Sequence, residues 1–235
     1  MSRFSRGKGR PQGRKAKDPE GLDNDALEPE SQGAPGAVVP AEKPAPPFLK
    51  RIIGVDPGTI HTGYGIIEVI GSALRPITYG RISPNRTLAI PWRLKYIFEK
   101  LSLLIATHKP QAMSLEKIFA YKNQSSAFKL AESRGIALVC GAIGGLFISE
   151  YSTTMVKNAV CGYGSADKKQ VSFMVSKLLA IEESISMDAS DALALAICHL
   201  SHANSLNGAA RIKGKSFRNL SPEDLVSMGY KLEGA

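Results

Sequence analysis

The chain has 235 residues, 30 Lys+Arg against 21 Asp+Glu, and a formal net charge of +9. That length allows one ordinary domain with tails, or two very small domains. A hydrophobic content of 43% excludes a collagen-like or wholly disordered chain. No apolar run reaches the ~18 residues of a membrane span, and residues 1–48 hold no apolar stretch of the secretory type. Cys140, Cys161 and Cys198 sit among small or apolar residues without a CxxC spacing. They read as reduced thiols of a cytoplasmic protein and not as a zinc site.

The charge is uneven along the chain. Residues 1–17 carry seven basic groups and no acid, and residues 18–30 carry six acids and no base. A Pro/Ala/Gly stretch follows and ends in Pro44-Ala45-Pro46-Pro47. Such composition buries too little apolar surface to offset ordering, so residues 1–48 are expected to be disordered. The basic block is either a solvated tail or a contact for nucleic acid phosphates. Residues 51–202 hold 16 basic and 11 acidic groups, an excess of five within the expected folded region. Residues 206–235 read as a tail in which Ser221-Pro222-Glu223-Asp224 would start a short helix.

The elements follow in chain order. Leu49–Val55 is a β-branched run that stops at Asp56-Pro57-Gly58, a strand entering a turn. Thr62–Val69 and Ile77–Ile82 are two further strands, and the short links suggest an antiparallel meander. Pro91 opens a helix in which Leu94, Ile97, Phe98, Leu101, Leu104 and Ile105 recur at helical spacing. Ala112–Leu115 is a short strand ending at Glu116. Ser125 to about Ile148 reads as one long helix, and Tyr151–Thr154 as a fifth strand. Helices are then expected over Met155–Val160, over Lys168–Leu179 with Ser165 as cap, and from Asp188 to about Ala203. The result is an α/β class with a mixed sheet flanked by helices.

Four acids stand in apolar settings. Asp56 ends the strand Ile52-Ile53-Gly54-Val55, and Glu116 ends Ala112-Met113-Ser114-Leu115. Asp188 and Asp191 lie in an Ala- and Leu-rich helix, where i, i+3 spacing puts them on one face. Each has an ordinary reading: a turn former at Asp56, a surface strand end at Glu116, first-turn acids favoured by the helix dipole at Asp188 and Asp191. A single explanation covers all four. Carboxylates that converge would repel, and a divalent cation removes the repulsion. An all-oxygen ligand set favours Mg²⁺ or Mn²⁺ over zinc. A basic body around such a cluster suits a polyanionic substrate.

Four blocks of the sequence resemble RuvC-type Holliday junction resolvases. The first is Ile52-Ile53-Gly54-Val55-Asp56-Pro57-Gly58-Thr59 with Thr62-Gly63-Tyr64-Gly65. The second is Leu115-Glu116-Lys117-Ile118-Phe119 with Lys122-Asn123, then Ser126-Ala127 and Ala131-Glu132-Ser133-Arg134-Gly135. The third is Val156-Lys157 followed by Gly162-Tyr163-Gly164-Ser165-Ala166-Asp167-Lys168, and the fourth is Asp188-Ala189-Ser190-Asp191-Ala192-Leu193-Ala194 with His199. They occur in family order and cover about residues 50–203.

The resemblance implies an RNase H-like fold over residues 49–205 and a homodimer acting on four-way junction DNA in a bacterial cytoplasm, at the nucleoid. It implies Asp56, Glu116, Asp188 and Asp191 as catalytic, metal-binding acids, with Lys168 beside the scissile phosphate. It further implies DNA contacts from Phe119, Lys122, Asn123, Lys157, Lys168 and Arg134, with Phe119 stacking on a base. A branch-migration motor of the RuvA–RuvB kind is the partner it suggests. Two Mg²⁺ ions, replaceable by Mn²⁺, would sit about 4 Å apart and drive in-line hydrolysis to 5′ phosphate and 3′ hydroxyl ends. His199, two helical turns after Asp191, either reaches the edge of this site or is packed. The seam of the dimer is expected on the helix at Ser125–Ile148.

Three other readings compete. Asp56-Pro57-Gly58-Thr59 also suits an actin- or sugar-kinase-type ATP site, but about 155 folded residues supply only one of the two domains such a clamp needs. A non-enzymatic junction-binding scaffold would not need the intact acid set. Another RNase H-like nuclease, acting on RNA, would not need the Phe119 loop.

Overall fold

The computed structural model describes residues 49–71, 73–117 and 124–206. The expected disordered extension, the helix at Ser221 and the loop carrying Phe119, Lys122 and Asn123 therefore lie outside the described residues. Three strands open the domain: β1 (Arg51–Asp56), β2 (Thr62–Ile70) and β3 (Ala73–Ile82), paired as an antiparallel meander. After α1 (Ile90–His108), β4 (Ala112–Glu116) lies parallel to β1. After α2 (Gln124–Ile143), β5 (Phe147–Tyr151) lies parallel to β4. Then come α3 (Thr153–Cys161), α4 (Lys168–Leu179) and α5 (Met187–Leu206). The strand order is β3-β2-β1-β4-β5, the mixed five-stranded sheet expected from the sequence.

Helices cover both faces, which is why β1 reads as a continuous apolar run. Ile53 and Val55 of β1 pack with Met113 and Leu115 of β4 against Ile97, Leu101 and Ile105 of α1 and Ala137 of α2. Ile52 and Ala112 face the other way, into a second core with Val156, Val171, Met174 and Leu193 from α3, α4 and α5. α5 is buried nearly all round through Ala189–Leu200, as an Ala- and Leu-rich helix without a polar stripe must be.

α5 approaches the sheet at backbone contact. A Cβ placed on Gly54 of β1 would lie 1.9 Å from the carbonyl oxygen of Ala192, and one on Gly63 of β2 would lie 2.0 Å from that of Asp188. Glycine at these two positions is what allows the helix to rest there. Ser114 of β4 donates to the Leu195 carbonyl at 2.8 Å and ties the helix to the neighbouring strand.

Several elements differ from the sequence expectation. The long helix expected to Ile148 stops at Ile143; Gly144 and Gly145 turn the chain, with Gly145 at φ 65°. The residues read as its end, Phe147 and Ile148, are the start of β5. The fifth strand is thus not Tyr151–Thr154 but four residues earlier. A short apolar run after a helix has no period of its own, so the break was carried only by the glycine pair. Ser152 accepts from the Met155 amide and caps α3, which starts at Thr153. Asp167, not Ser165, caps α4, in a capping box with Gln170. β3 reaches back to Ala73, and α5 runs to Leu206. Among the described residues no helix is long and apolar enough to cross a membrane.

Gly54→Ala is expected to push α5 off the sheet. Chemical denaturation should read a loss of about 1–3 kcal/mol or more, because the clash is with backbone and no rotamer can relieve it.

Candidate active site

Strand alternation sends one set of side chains to the α5 face. In β1 these are Ile52, Gly54 and then Asp56; in β4 they are Ala112, Ser114 and then Glu116. Val55 pairs with Leu115, so one residue further on Asp56 and Glu116 stand side by side at the ends of two parallel strands. This carboxyl-end edge is where open α/β sheets bind ligands. Gly63 pairs with Asp56 from β2 and, lacking a side chain, leaves room for the start of α5. Asp188 and Asp191 descend from that first turn onto the same spot.

The four carboxylates act on one another. Burial, followed by Asp191, Glu116 and Asp188, pushes the Asp56 carboxyl up to about 7 against the opposing pull of Lys168. Asp191 is also raised, by burial and then by Glu116 and Asp188, although Lys168 holds it down. Each remaining acid has found a partner. The Lys168 ammonium lies 3.4 Å from Asp191, Arg81 of β3 lies 3.5 Å from Asp188, and the Thr153 hydroxyl donates to Glu116 at 2.5 Å. A cleft of about 150 Å³ opens over the group, lined by Asp56, Glu116, Asp191, Thr153, Lys157 and Lys168 among others.

Among the described residues, no three acidic, His or Cys side chains are already closed round one point as a finished metal cluster. The acids are neighbours turned toward nearby cations and a hydroxyl, partners that lessen the repulsion among like charges.

The family model described as crossover junction endodeoxyribonuclease RuvC matches residues 52–199. The chain belongs to the RuvC family. A Geobacter metallireducens crossover junction endodeoxyribonuclease RuvC is 46% identical over 157 residues, spanning 67% of this chain and 96% of the relative. Its Pelobacter propionicus counterpart is 42% identical over 175 residues, 73% of this chain and 99% of the relative. Among solved structures, T. thermophilus RuvC in complex with Holliday junction substrate superposes with a TM-score of 0.64 at 26% identity, covering 67% of this chain and 97% of that one. The RNase H-like fold inferred from the four sequence blocks is the fold of this RuvC-family chain.

The structure distributes the sequence-derived site residues of this RuvC-family domain unevenly. Asp56, Glu116, Asp188 and Asp191 converge, and Lys168 and Lys157 line the same cleft. Arg134 does not join them. It is paired with Glu150, which lies in β5 between Ser149 and Tyr151 and so faces α2, on the opposite side of the sheet from the acids. Phe119, Lys122 and Asn123 are outside the described residues. His199 is packed, at 2% exposure, with Nδ1 2.8 Å from the Tyr151 hydroxyl. Burial and then His202 hold its pKa down to about 4, so it is a neutral core residue. Cys140, Cys161 and Cys198 are buried thiols outside any disulfide, and burial lifts Cys161 and Cys198 to about 12.

Sequence reasoning missed two neighbours of the RuvC-family acids, Arg81 and Thr153. Neither stands in an apolar run, so burial against charge, the signal that exposed the acids, was absent. The available signal was strand register: Arg81 pairs with Gly63, which itself pairs with Asp56.

The raised Asp56 pKa makes cation-free stability depend on pH. Between the ordinary 3.8 and about 7, the unfolded chain has lost a proton that the folded one retains. Rising pH therefore favours unfolding through this group, and the full penalty is in place above about pH 7. Asp56→Asn removes it. In EDTA the variant should melt above wild type at pH 8, and the difference should vanish near pH 4.

Proposed function

We propose that this RuvC-family chain is a metal-dependent Holliday junction resolvase that nicks two strands of like polarity at four-way DNA junctions. The observation that carries the reading is the meeting of the half-buried Asp56 with three further acids at the carboxyl edge of the sheet, which raises its carboxyl to about 7. Hard divalent cations fit the donor set, which is entirely carboxylate oxygen. Asp56, Glu116, Asp188 and Asp191 would hold two of them, Mg²⁺ or Mn²⁺. When bound, the ions supply an activated water and positive charge at the attacked phosphate and the leaving 3′ oxygen.

The chain's own groups do the positioning. Asp56 ends the central strand, where pairing on both sides fixes its backbone. Thr153 donates to Glu116 and holds that carboxylate's orientation. Lys168 stands at the first position of α4, set by the Asp167–Gln170 capping box, and points its ammonium at Asp191 over the cleft. It supplies positive charge where negative charge grows on the phosphate. Lys157 faces the same cleft from α3 and suits a neighbouring phosphate.

A homodimer would set two such sites on a two-fold junction. The outer face of α2 supports this: Phe128, Val139 and Ile143 are 69%, 49% and 70% exposed. A Cβ on Gly135, between them, meets nothing within 4 Å. Apolar side chains and an open glycine on one helix face suit a close helix-to-helix seam. An assembly of this kind would act on cytoplasmic, nucleoid DNA.

Asp56→Asn and Glu116→Gln should each bind a synthetic four-way junction as wild type does and lose Mg²⁺-dependent nicking by about 10²–10³-fold or more, the scale of a lost transition-state stabiliser. Nicking retained by either variant, mapped on a sequencing gel, contradicts the assignment. Val139→Glu with Ile143→Glu should sediment as a monomer at concentrations where wild type is a dimer.

A further inference from the structure

The acids have basic groups on two sides, Lys157 and Lys168 on one and Arg81 on the other. Asp188 and Asp191 are one turn apart on α5 and reach in different directions. Asp191 meets Lys168 of α4, while Asp188 meets Arg81 of β3. Strand alternation makes this second flank continuous. Gly63 and Arg81 pair across β2 and β3 on the α5 face, and two residues back on that face come His61 and, across from it, Ser83.

These side chains form a chain of contacts. The Arg86 Nη2 lies 2.8 Å from His61 Nε2, and His61 Nδ1 lies 3.0 Å from the Ser83 hydroxyl. A guanidinium only donates, so Nε2 must accept, and the proton of the neutral imidazole sits on Nδ1, donated to Ser83. Nearby, Arg93 donates to the Thr59 carbonyl and ties the loop after β1 to the start of α1. His61 is therefore a brace, held from below by Ser83, that aims Arg86 over the end of the β2–β3 ribbon.

The two guanidiniums share one electrostatic neighbourhood. Arg81, Arg86 and Asp188 all act on His61. Asp188 is the only carboxylate paired with either guanidinium among the described residues, and Arg86 spends its contact on a neutral ring. The Arg81 side chain is still 45% exposed, and Arg86 is exposed. Two cations around one imidazole, with a single acid paired to one of them that the proposed metal ions would neutralise, call for an anion. Arginine's five donors suit the non-bridging oxygens of a phosphodiester.

We propose that Arg81 and Arg86, braced by His61 and Ser83, form a second backbone-phosphate cradle on the β3 side of the acids. The nicked strand then crosses the acidic set between two basic flanks, Lys157 and Lys168 on one side and Arg81 and Arg86 on the other. This inference rests on the resolvase reading, because it takes junction DNA as the polyanion.

The test is binding of a fluorescent four-way junction by the full-length chain in EDTA, read by anisotropy at salt from about 50 to 200 mM. Arg86→Ala and Arg81→Ala should each weaken binding several-fold and reduce the slope of log K against log salt by about 0.9, one phosphate contact. Arg75→Ala removes the same charge six residues along β3, roughly 20 Å away, and should keep the wild-type slope. Arg86→Lys should restore the slope. His61→Ala removes the brace without charge and should weaken binding with the slope retained.

The inference is overturned if the Arg81 and Arg86 variants match Arg75→Ala in slope, or if His61→Ala binds as wild type does. Failure of the resolvase reading looks different: wild type itself would leave the junction intact in Mg²⁺.

Discussion

Four carboxylates of like charge are held within reach of one another at one edge of a sheet, and much of the domain exists to keep them there. The repulsion is not relieved internally: Asp56 sits at a pKa of about 7, and its neighbours lean on Lys168, Arg81 and Thr153. Such an arrangement survives only because rigid elements impose it. Asp56 is fixed by strand pairing on both sides, and α5 is fixed by burial nearly all round. The stability of the core is what holds the acids in a strained electrostatic state.

Charge around the site is sorted by element. The acids come from β1, β4 and α5, the central layer of the fold. Bases come from the periphery: Lys157 from α3, Lys168 from α4, Arg81 from β3. A net excess of positive charge then means less than its distribution does. A basic shell suits a polyanion, and an acidic centre at its middle suits the cations that would act on it. Arg134 lies apart from these bases, paired with Glu150 on the other face of the sheet from the acids.

The legible parts of the sequence were those where composition clashed with context. A carboxylate at the end of Ile-Ile-Gly-Val, or two in an Ala-rich helix, announces itself because burying an unpaired charge is costly. The helices with a clear period, α1 and α4, were placed closely for the same reason that they are amphipathic. The break between α2 and β5 was not legible, because Leu146, Phe147 and Ile148 continue an apolar run and only two glycines mark the turn. Arg81 and Thr153 were invisible as site residues because polar residues at strand and helix ends are ordinary until their neighbours are known.

By itself the sequence determined which residues could carry the chemistry and which family the chain belongs to, because residue type and order along the chain are local properties. It also carried, unrecognised, the condition for assembling the site: glycine at 54 and 63, with no other side chain tolerable there. The meeting of α5 with β1 and β2 at backbone contact is a relation between segments more than a hundred residues apart, and pattern within either segment does not encode it. Only the tertiary structure decided that Asp56, Glu116, Asp188 and Asp191 share one environment, that Arg81 flanks it, and that Arg134 does not. Distances across the fold set the electrostatics, and those distances exist only once the helix lies on the sheet.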